Sequence, residues 1–123
     1  MFSNFLAVGA GGAIGAMGRY AVGLIPALQR GPFPLATLLI NLGGAVLIGL
    51  AAASAQRWSD LSPTLLLFWR VGLCGGFTTF STFSLESLTL LETGRTGLFA
   101  LYVLLSVALC LAGVWLGKAL LAA

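Results

Sequence analysis

The sequence predicts an all-α membrane protein with four transmembrane helices, the third of them interrupted midway. Of the 123 residues, 59% are hydrophobic and only 7% are charged, whereas about a quarter of the residues in a soluble domain are charged. A membrane-spanning helix needs roughly 20 apolar residues, so the apolar runs fit four spans joined by short loops. We therefore expect one membrane domain, residues 1–123, without a separate soluble domain.

The first predicted span, residues 4–25, is rich in glycine and is followed by Pro26. Gly11, Gly15 and Arg19 succeed one another at intervals of four residues, which places them on one helix face. Small residues at this spacing are the usual contact between membrane helices. We interpret this face as packed against protein, with Arg19 at its end.

The second predicted span, residues 34–55, carries Thr37 and Asn41 one turn apart on one face. An amide side chain in hydrocarbon needs hydrogen-bond partners. Two interpretations remain open for Asn41. It either makes an interhelical hydrogen bond, worth about 0.6 to 2 kcal/mol, or lines an ion path.

The third predicted span, residues 63–92, holds three glycines within positions 72–76, followed by interleaved Thr, Ser and Phe. It is longer than a straight span requires, which favours two half-helices separated by a break near 75–79. Irregular backbone at membrane depth persists only where protein buries it or where it lines a polar cavity, so this stretch is the candidate site. Phe80 and Phe83 lie on one face and are either core packing or ring edges that flank an anion.

The fourth predicted span, residues 98–121, carries Tyr102, Ser106 and Cys110 at successive intervals of four. This spacing forms one weakly polar stripe on an otherwise aliphatic helix. The stripe either faces a polar path or consists of tolerated residues that bond to carbonyls of their own helix.

Composition also excludes several classes of function. The chain has no histidine and two cysteines, so neither an ordinary zinc or iron site nor a Ser/His or Cys/His catalytic pair can form. Its six basic residues are scattered singly, unlike the clusters that bind nucleic acid. We therefore expect neither an enzyme nor a nucleic-acid-binding protein.

The basic residues are balanced across the membrane. Four spans place both termini and the second loop on one side and the other two loops opposite. Because the Lys/Arg difference between the sides sets orientation, an equal count predicts that copies insert in both directions and can form an antiparallel dimer. We assign Arg57, Arg70 and Lys118 to the terminal side, and Arg19, Arg30 and Arg95 to the other.

The string Gly75 to Ser84, together with Asn41, Arg19 and Glu86, resembles the CrcB/Fluc family of fluoride channels over the whole chain. The resemblance implies a dual-topology homodimer with two antiparallel pores. It also implies passive export of fluoride through the bacterial cytoplasmic, or inner, membrane. Its expected partners are fluoride, sodium, the lipid bilayer and a second copy of the chain.

The resemblance further assigns roles to individual residues. Phe80 and Phe83 are expected to turn ring edges toward the anions, and the backbone carbonyls of Gly75 and Thr78 to hold a structural sodium ion between subunits. Cys110 departs from the Ser or Thr expected next on the polar track of the fourth helix. The expected fluoride pathway comprises Thr37, Asn41, Phe80, Ser81, Thr82, Phe83, Tyr102 and Ser106, with Arg19 and Glu86 at a vestibule or interface.

Other functional classes fit the sequence less well. A small dual-topology multidrug transporter is also this length, but it needs a carboxylate in its first helix, where the only charge here is Arg19. A structural or lipid-organising subunit would explain the packing glycines but not the Thr/Ser/Phe string. Active export would need a nucleotide motif or a proton relay, and the sequence shows neither.

Overall fold

The structure, a computed structural model, describes residues 1–122, which form helices joined by short turns. Three helices in this described part are long and apolar enough to cross a membrane, namely α1 (Phe2–Gly23), α2 (Leu35–Arg57) and α6 (Thr96–Ala122). The segment between α2 and α6 is divided into shorter pieces. The elements are α1 (Phe2–Gly23), a 3-10 turn (Pro26–Gln29), α2 (Leu35–Arg57), α3 (Pro63–Leu67), a π-helix (Phe68–Cys74), α4 (Gly75–Phe77), α5 (Phe80–Glu92) and α6 (Thr96–Ala122).

The ends of the divided segment carry ordinary local signals. Ser62 precedes Pro63 at the start of α3, and its side chain accepts a hydrogen bond from the N–H of Leu65 at 3.4 Å. After α5, Gly94 takes a φ of +76°, a conformation that favours glycine, and the chain turns into α6. The π-helix at Phe68–Cys74 is a feature that the sequence analysis did not predict.

Glycines let the backbones of neighbouring helices approach closely. A Cβ added at Gly76 would lie 2.6 Å from the carbonyl oxygen of Gly12, so α4 and α1 touch through main chain. Similarly, a Cβ at Gly117 of α6 would lie 2.9 Å from the nitrogen of Leu50 in α2. Contacts of this kind position the divided segment on α1 and pair α2 with α6.

Two hydrogen bonds fix which helix ends meet. The Thr64 hydroxyl donates to Asn4 Oδ1 at 2.7 Å, and Arg57 donates to the carbonyl oxygen of Leu121 at 2.6 Å. Both chain termini therefore lie at the same end of the bundle as the loop between α2 and α3.

The apolar residues are distributed unlike those of a soluble protein. The buried core cluster consists of Leu38, Leu90 and Tyr102, whereas large apolar side chains such as Phe5 and Trp115 are exposed. An outer surface of this composition matches hydrocarbon rather than water.

Candidate functional site

The helical backbone is interrupted between α4 and α5. Thr78 and Thr79 have extended conformations, with φ −82°, ψ 158° and φ −149°, ψ 125° respectively. Asn41 of α2 pairs with this interruption through both atoms of its amide. Its Nδ2 donates to the Thr79 carbonyl oxygen at 3.0 Å, and its Oδ1 accepts from the Thr79 N–H at 2.8 Å. The Asn41 side chain thus supplies both backbone hydrogen bonds that Thr79 would make in a continuous helix.

Two threonine side chains make further hydrogen bonds to the backbone on either side of the interruption. The Thr78 hydroxyl donates back to the carbonyl oxygen of Cys74, the last residue of the π-helix, at 2.8 Å, and the Thr78 N–H donates to the same oxygen at 3.0 Å. The Thr79 hydroxyl oxygen accepts from the N–H of Thr82 at 3.2 Å and so caps the start of α5. The Thr78 methyl group lies against Gly44 of α2, where a Cβ would overlap it.

These hydrogen bonds leave two backbone carbonyls without their usual donors. In a continuous α-helix, Gly75 would accept from the N–H of Thr79, and Thr78 from that of Thr82. Here the Thr79 N–H goes to Asn41 and the Thr82 N–H to the Thr79 hydroxyl. The resemblance to the CrcB/Fluc family implies a sodium ion at the carbonyls of Gly75 and Thr78, and carbonyl oxygens suit a hard cation.

Arg19 makes a hydrogen bond to a backbone carbonyl that lies between those of Gly75 and Thr78 in the chain. Its Nε donates to the Gly76 carbonyl oxygen at 3.2 Å. The guanidinium therefore places a positive charge beside the interrupted backbone, from the face of α1 that carries the packing glycines.

A cavity of about 400 Å³, here called the phenylalanine cavity, lies beside the interruption. Phe80 and Phe83 line it, with ring centroids 5.5 Å apart and ring planes at 43°. Asn41, Ser106 and Cys110 line the same space. The cavity thus joins aromatic rings from α5 with polar side chains from α2 and α6.

Ser106 is a polar residue of this cavity whose hydroxyl lacks a hydrogen-bond partner among the described residues. Its residue is 8% exposed, and among the described residues its Oγ has no hydrogen-bond partner. A buried hydroxyl without a partner is costly and requires an explanation. The Ser106 hydroxyl is therefore a donor that no described residue uses.

Tyr102 lies deeper in the fold than Ser106 and Cys110. It is fully buried, and its hydroxyl donates to Glu86 Oε1 at 2.9 Å. Its ring packs against Phe83 at 5.0 Å and against Phe33 at 5.5 Å. The predicted stripe of α6 is therefore divided, with Tyr102 in the core and the other two residues at the cavity.

A second cavity, of about 490 Å³, lies between α1, α2 and α5 and is here called the arginine cavity. Arg19, Thr37, Thr82 and Glu86 line it. Thr79 borders both cavities, so the residue held by Asn41 is common to the two.

The structure thus brings most of the expected pathway residues to one of two neighbouring cavities. Two expected pathway residues line neither cavity. Tyr102 is fully buried in the core, and Ser81 is exposed, with its hydroxyl 3.4 Å from that of Thr79. Thr79 itself was not among the expected site residues. The preference of threonine for helix N-caps was the available signal, but it is detectable only once the start of α5 is known.

A family model described as "CrcB-like protein, Camphor Resistance (CrcB)" matches residues 6–118. The chain belongs to this family.

Three CrcB-family relatives each bear the name fluoride-specific ion channel FluC. That of Geobacter sulfurreducens is 47% identical over 94% of both chains. That of Ruminiclostridium cellulolyticum is 45% identical over 95% of this chain and 91% of its own. That of Rhizobium meliloti is 43% identical over 98% of both.

Family membership gives the apolar helices their setting. With three helices of membrane-spanning length and composition, this CrcB-family chain is a multi-pass protein of the bacterial cell membrane. The names of its relatives describe an ion channel rather than an enzyme.

Proposed function

We propose that this CrcB-family chain is a fluoride-selective channel that exports fluoride passively across the cytoplasmic membrane. The observation that carries the proposal is the phenylalanine cavity, where Phe80 and Phe83 lie beside a buried Ser106 hydroxyl without a partner. The names of the relatives support fluoride as the ion. The cavity supplies the kinds of group that a dehydrated anion needs.

Fluoride must exchange its water shell for other donors as it enters the membrane. Ser106 offers one hydroxyl donor. Asn41 offers another, because its amide nitrogen carries two hydrogens and only one is used by Thr79. The ring edges of Phe80 and Phe83 carry partial positive charge and can flank the anion between these donors.

The arginine cavity supplies an approach to the same place. The positive charge of Arg19 attracts anions toward it, and the hydroxyls of Thr37 and Thr82 provide donors there. We propose that fluoride passes from this vestibule along Thr79 into the phenylalanine cavity. Glu86 is engaged by Tyr102, which supports a positioning role at the vestibule.

We further propose that the functional unit is an antiparallel homodimer with two pores. The exposure of α5 supports this assembly, since Phe80 is 79% exposed and Leu85 and Leu88 farther along the helix are also exposed. A second copy would cover this face and close the open side of each phenylalanine cavity. The balance of Lys and Arg across the predicted sides supports opposed orientations.

The same assembly would create a cation site. Two copies would contribute four carbonyl oxygens from Gly75 and Thr78, which is the hard donor set that sodium accepts. A sodium ion bound there would supply a fixed positive charge near the anion paths. Thr78 and Asn41 would hold the site, because their side chains bond the backbone on either side of it.

Ion flux from proteoliposomes tests the function directly. We expect fluoride efflux through the purified protein to exceed chloride efflux. Phe80→Ile and Phe83→Ile should each lower the fluoride rate by about fivefold, since aromatic edge contacts are worth about 1 kcal/mol. Phe5→Ile is the matched control, because Phe5 is exposed on α1. Unchanged flux in both cavity variants would contradict the proposed path.

Phe80→Ile is the cleaner of the two variants. Phe83 also packs on Tyr102, so its replacement disturbs the core as well as the cavity. Gel filtration should show an intact dimer for Phe80→Ile at reduced flux.

Accessibility labelling tests the orientation. A cysteine added at the C-terminus, in a variant without Cys74 and Cys110, should react from both sides of the membrane in comparable amounts. Two added Lys near the C-terminus should fix the termini in the cytoplasm and abolish flux from that copy alone. Flux should return when a copy with Lys added beside Arg30 and Arg95 is expressed with it. A single orientation in the unmodified protein would exclude the antiparallel dimer.

A further inference from the structure

A third cavity, here called the basic cavity, lies where α2 and α6 end beside each other. It has a volume of about 590 Å³, and Arg57, Lys118 and Gln56 line it together with Trp115 and small apolar side chains. Among the described residues, none with an acidic side chain lines it. The basic cavity shares no lining residue with the phenylalanine cavity or the arginine cavity, so the proposed ion path does not account for it.

The position of Arg57 in this cavity is fixed by two contacts. Its Nη1 donates to the carbonyl oxygen of Leu121 at 2.6 Å, and its guanidinium lies over the Trp58 ring, 5.5 Å from the ring centre. A guanidinium has five N–H donors, and the bond to Leu121 uses one of them. Lys118 is exposed on α6 and lines the same cavity. The cavity therefore offers two positive charges and several N–H donors to one ligand.

This end of the bundle lies at a surface of the membrane. Trp58 and Trp115 are 45% and 70% exposed there, and exposed tryptophan is typical of the level of the lipid headgroups. The helices that lead away from this end, α2 and α6, are apolar enough to cross a membrane. A ligand of the basic cavity therefore has water on one side and hydrocarbon on the other.

An apolar groove, here called the tryptophan groove, begins at the same end of the bundle. Trp58 and Trp69 line it, and its volume is about 330 Å³. On α2 its lining extends from Leu47 to Trp58, roughly 16 Å of helix. Arg57 of the basic cavity interacts with Trp58 of this groove, so the two spaces meet at that pair. A free phosphate ion would use only the cavity, whereas a phospholipid could also place an acyl chain in the groove.

We propose that the basic cavity binds the headgroup of an anionic phospholipid. The lipid phosphate lies between Arg57 and Lys118, where two positive charges and their N–H donors can pair with its oxygens. The acyl chains remain in hydrocarbon, and the tryptophan groove is open to one of them. This binding is non-covalent, and it does not depend on the proposed channel function.

The two cations could also serve the helix ends alone, and that role predicts a different result. Arg57 lies in the last turn of α2, where a positive side chain offsets the partial negative charge of a helix C-terminus. Such a role needs no ligand and would favour no lipid over another. The lipid site predicts instead a preference for anionic over zwitterionic headgroups, which is lost when Arg57 and Lys118 are replaced.

Native mass spectrometry of the purified protein in detergent tests the site by titration with three ligands. Dioleoylphosphatidylglycerol is anionic, dioleoylphosphatidylcholine is zwitterionic with the same acyl chains, and glycerol phosphate has no acyl chains. We expect the phosphatidylglycerol to bind at least tenfold more tightly than either of the others. Lys118→Gln should weaken its binding about fivefold, since a Lys or Arg near an anionic lipid surface contributes about 1 kcal/mol. Arg57→Gln combined with Lys118→Gln should remove the preference.

Two control variants separate this site from a general effect of charge. Arg30→Gln combined with Arg95→Gln removes the same charge from the loops at the opposite end of the bundle and should keep the preference. Lys118→Arg retains the cation in the cavity and should also keep it. Gel filtration checks that each variant is folded, because Arg57→Gln also loses the bond to Leu121.

The outcomes decide between the occupants of the cavity. Equal binding of the two lipids by the unmodified protein would overturn the proposal, and this is the result expected if a carboxylate of the chain itself filled the cavity. Equal weakening in the Arg30 and Arg95 variant would show a general charge effect and would also overturn it. Glycerol phosphate that bound as tightly as the phosphatidylglycerol would mean a site for free phosphate rather than lipid. If the double variant is not recovered as a folded protein, Lys118→Gln decides alone, and unchanged binding there would reject the site.

Discussion

The two parts of the segment between α2 and α6 are held in different ways. The first part, residues 63–77, lies against α1 through main-chain contact, since a Cβ at Gly15 would come within 2.7 Å of the Phe77 nitrogen. The second part, α5, is held through side chains, chiefly the contacts of Phe83 and Glu86 with Tyr102. One part is fixed within the chain, whereas the other presents an apolar face that the chain leaves uncovered.

This difference shows why the interruption lies where it does. The Asn41–Thr79 pair stands at the junction of the two parts. On one side, the backbone of residues 63–77 packs so closely on the glycines of α1 that it cannot shift toward α1 without a collision. On the other side, α5 is held by side-chain contacts and leaves apolar side chains exposed. A partner that covered these side chains could adjust the position of α5. The candidate site therefore combines a rigid support with a surface that a partner can complete.

The main-chain contact on α1 is the feature whose loss should have the largest effect. Gly15→Ala would place a methyl group against the backbone of Leu73 and Phe77. Neither backbone can rotate away, so we expect a loss of about 3 kcal/mol of stability or more. Gly9→Ala is the matched control, because nothing lies within 4 Å of a Cβ there. Thermal unfolding followed by gel filtration measures both variants, and equal melting would contradict the rigid contact.

The junction should be next in sensitivity. Asn41→Asp replaces the Nδ2 donor with a carboxylate oxygen that repels the Thr79 carbonyl, while the acceptor for the Thr79 N–H remains. We expect fluoride efflux to fall by about tenfold or more, since a buried carbonyl left without its donor costs about 1 to 3 kcal/mol.

The same substitution elsewhere provides the control for this prediction. Asn4 uses its Oδ1 as an acceptor for the Thr64 hydroxyl, and Asp keeps that acceptor. Asn4→Asp should therefore leave efflux near the parent rate. Efflux from Asn41→Asp equal to that of Asn4→Asp would remove the junction from the ion path.

Local sequence patterns predicted the helical class of this chain because hydrophobic length and glycine content depend on neighbouring residues alone. α1, α2 and α6 lie close to the predicted spans 4–25, 34–55 and 98–121. The same reasoning identified Asn41 as an amide that needs partners, but it did not identify Thr79. That pairing joins residues far apart in the chain, and nothing in the spacing around either residue encodes it.

The stripe on α6 illustrates the other limit. A spacing of four residues correctly places Tyr102, Ser106 and Cys110 on one face. It does not show how deep each residue lies, because burial depends on the bulk of the helices opposite. Phe33 and Phe83 enclose Tyr102, whereas no comparable pair of rings closes over Cys110 in the described structure. The polar face could be predicted from the spacing. Its division between core and cavity could be seen only in the packing of the helices.

The side-chain attachment of α5 should show the smallest effect, and this effect should be confined to one part of the divided segment. Tyr102→Phe removes the donor to Glu86 and keeps the ring against Phe83, so we expect a loss of about 1 kcal/mol. Hydrogen exchange should rise for the amides of α5 and stay unchanged for residues 63–77. Tyr20→Phe is the matched control, because Tyr20 is exposed rather than buried in the core. Exchange that rises equally in both parts would mean that they open together, and that the side-chain contacts of α5 do not hold it independently of the main-chain contact on α1.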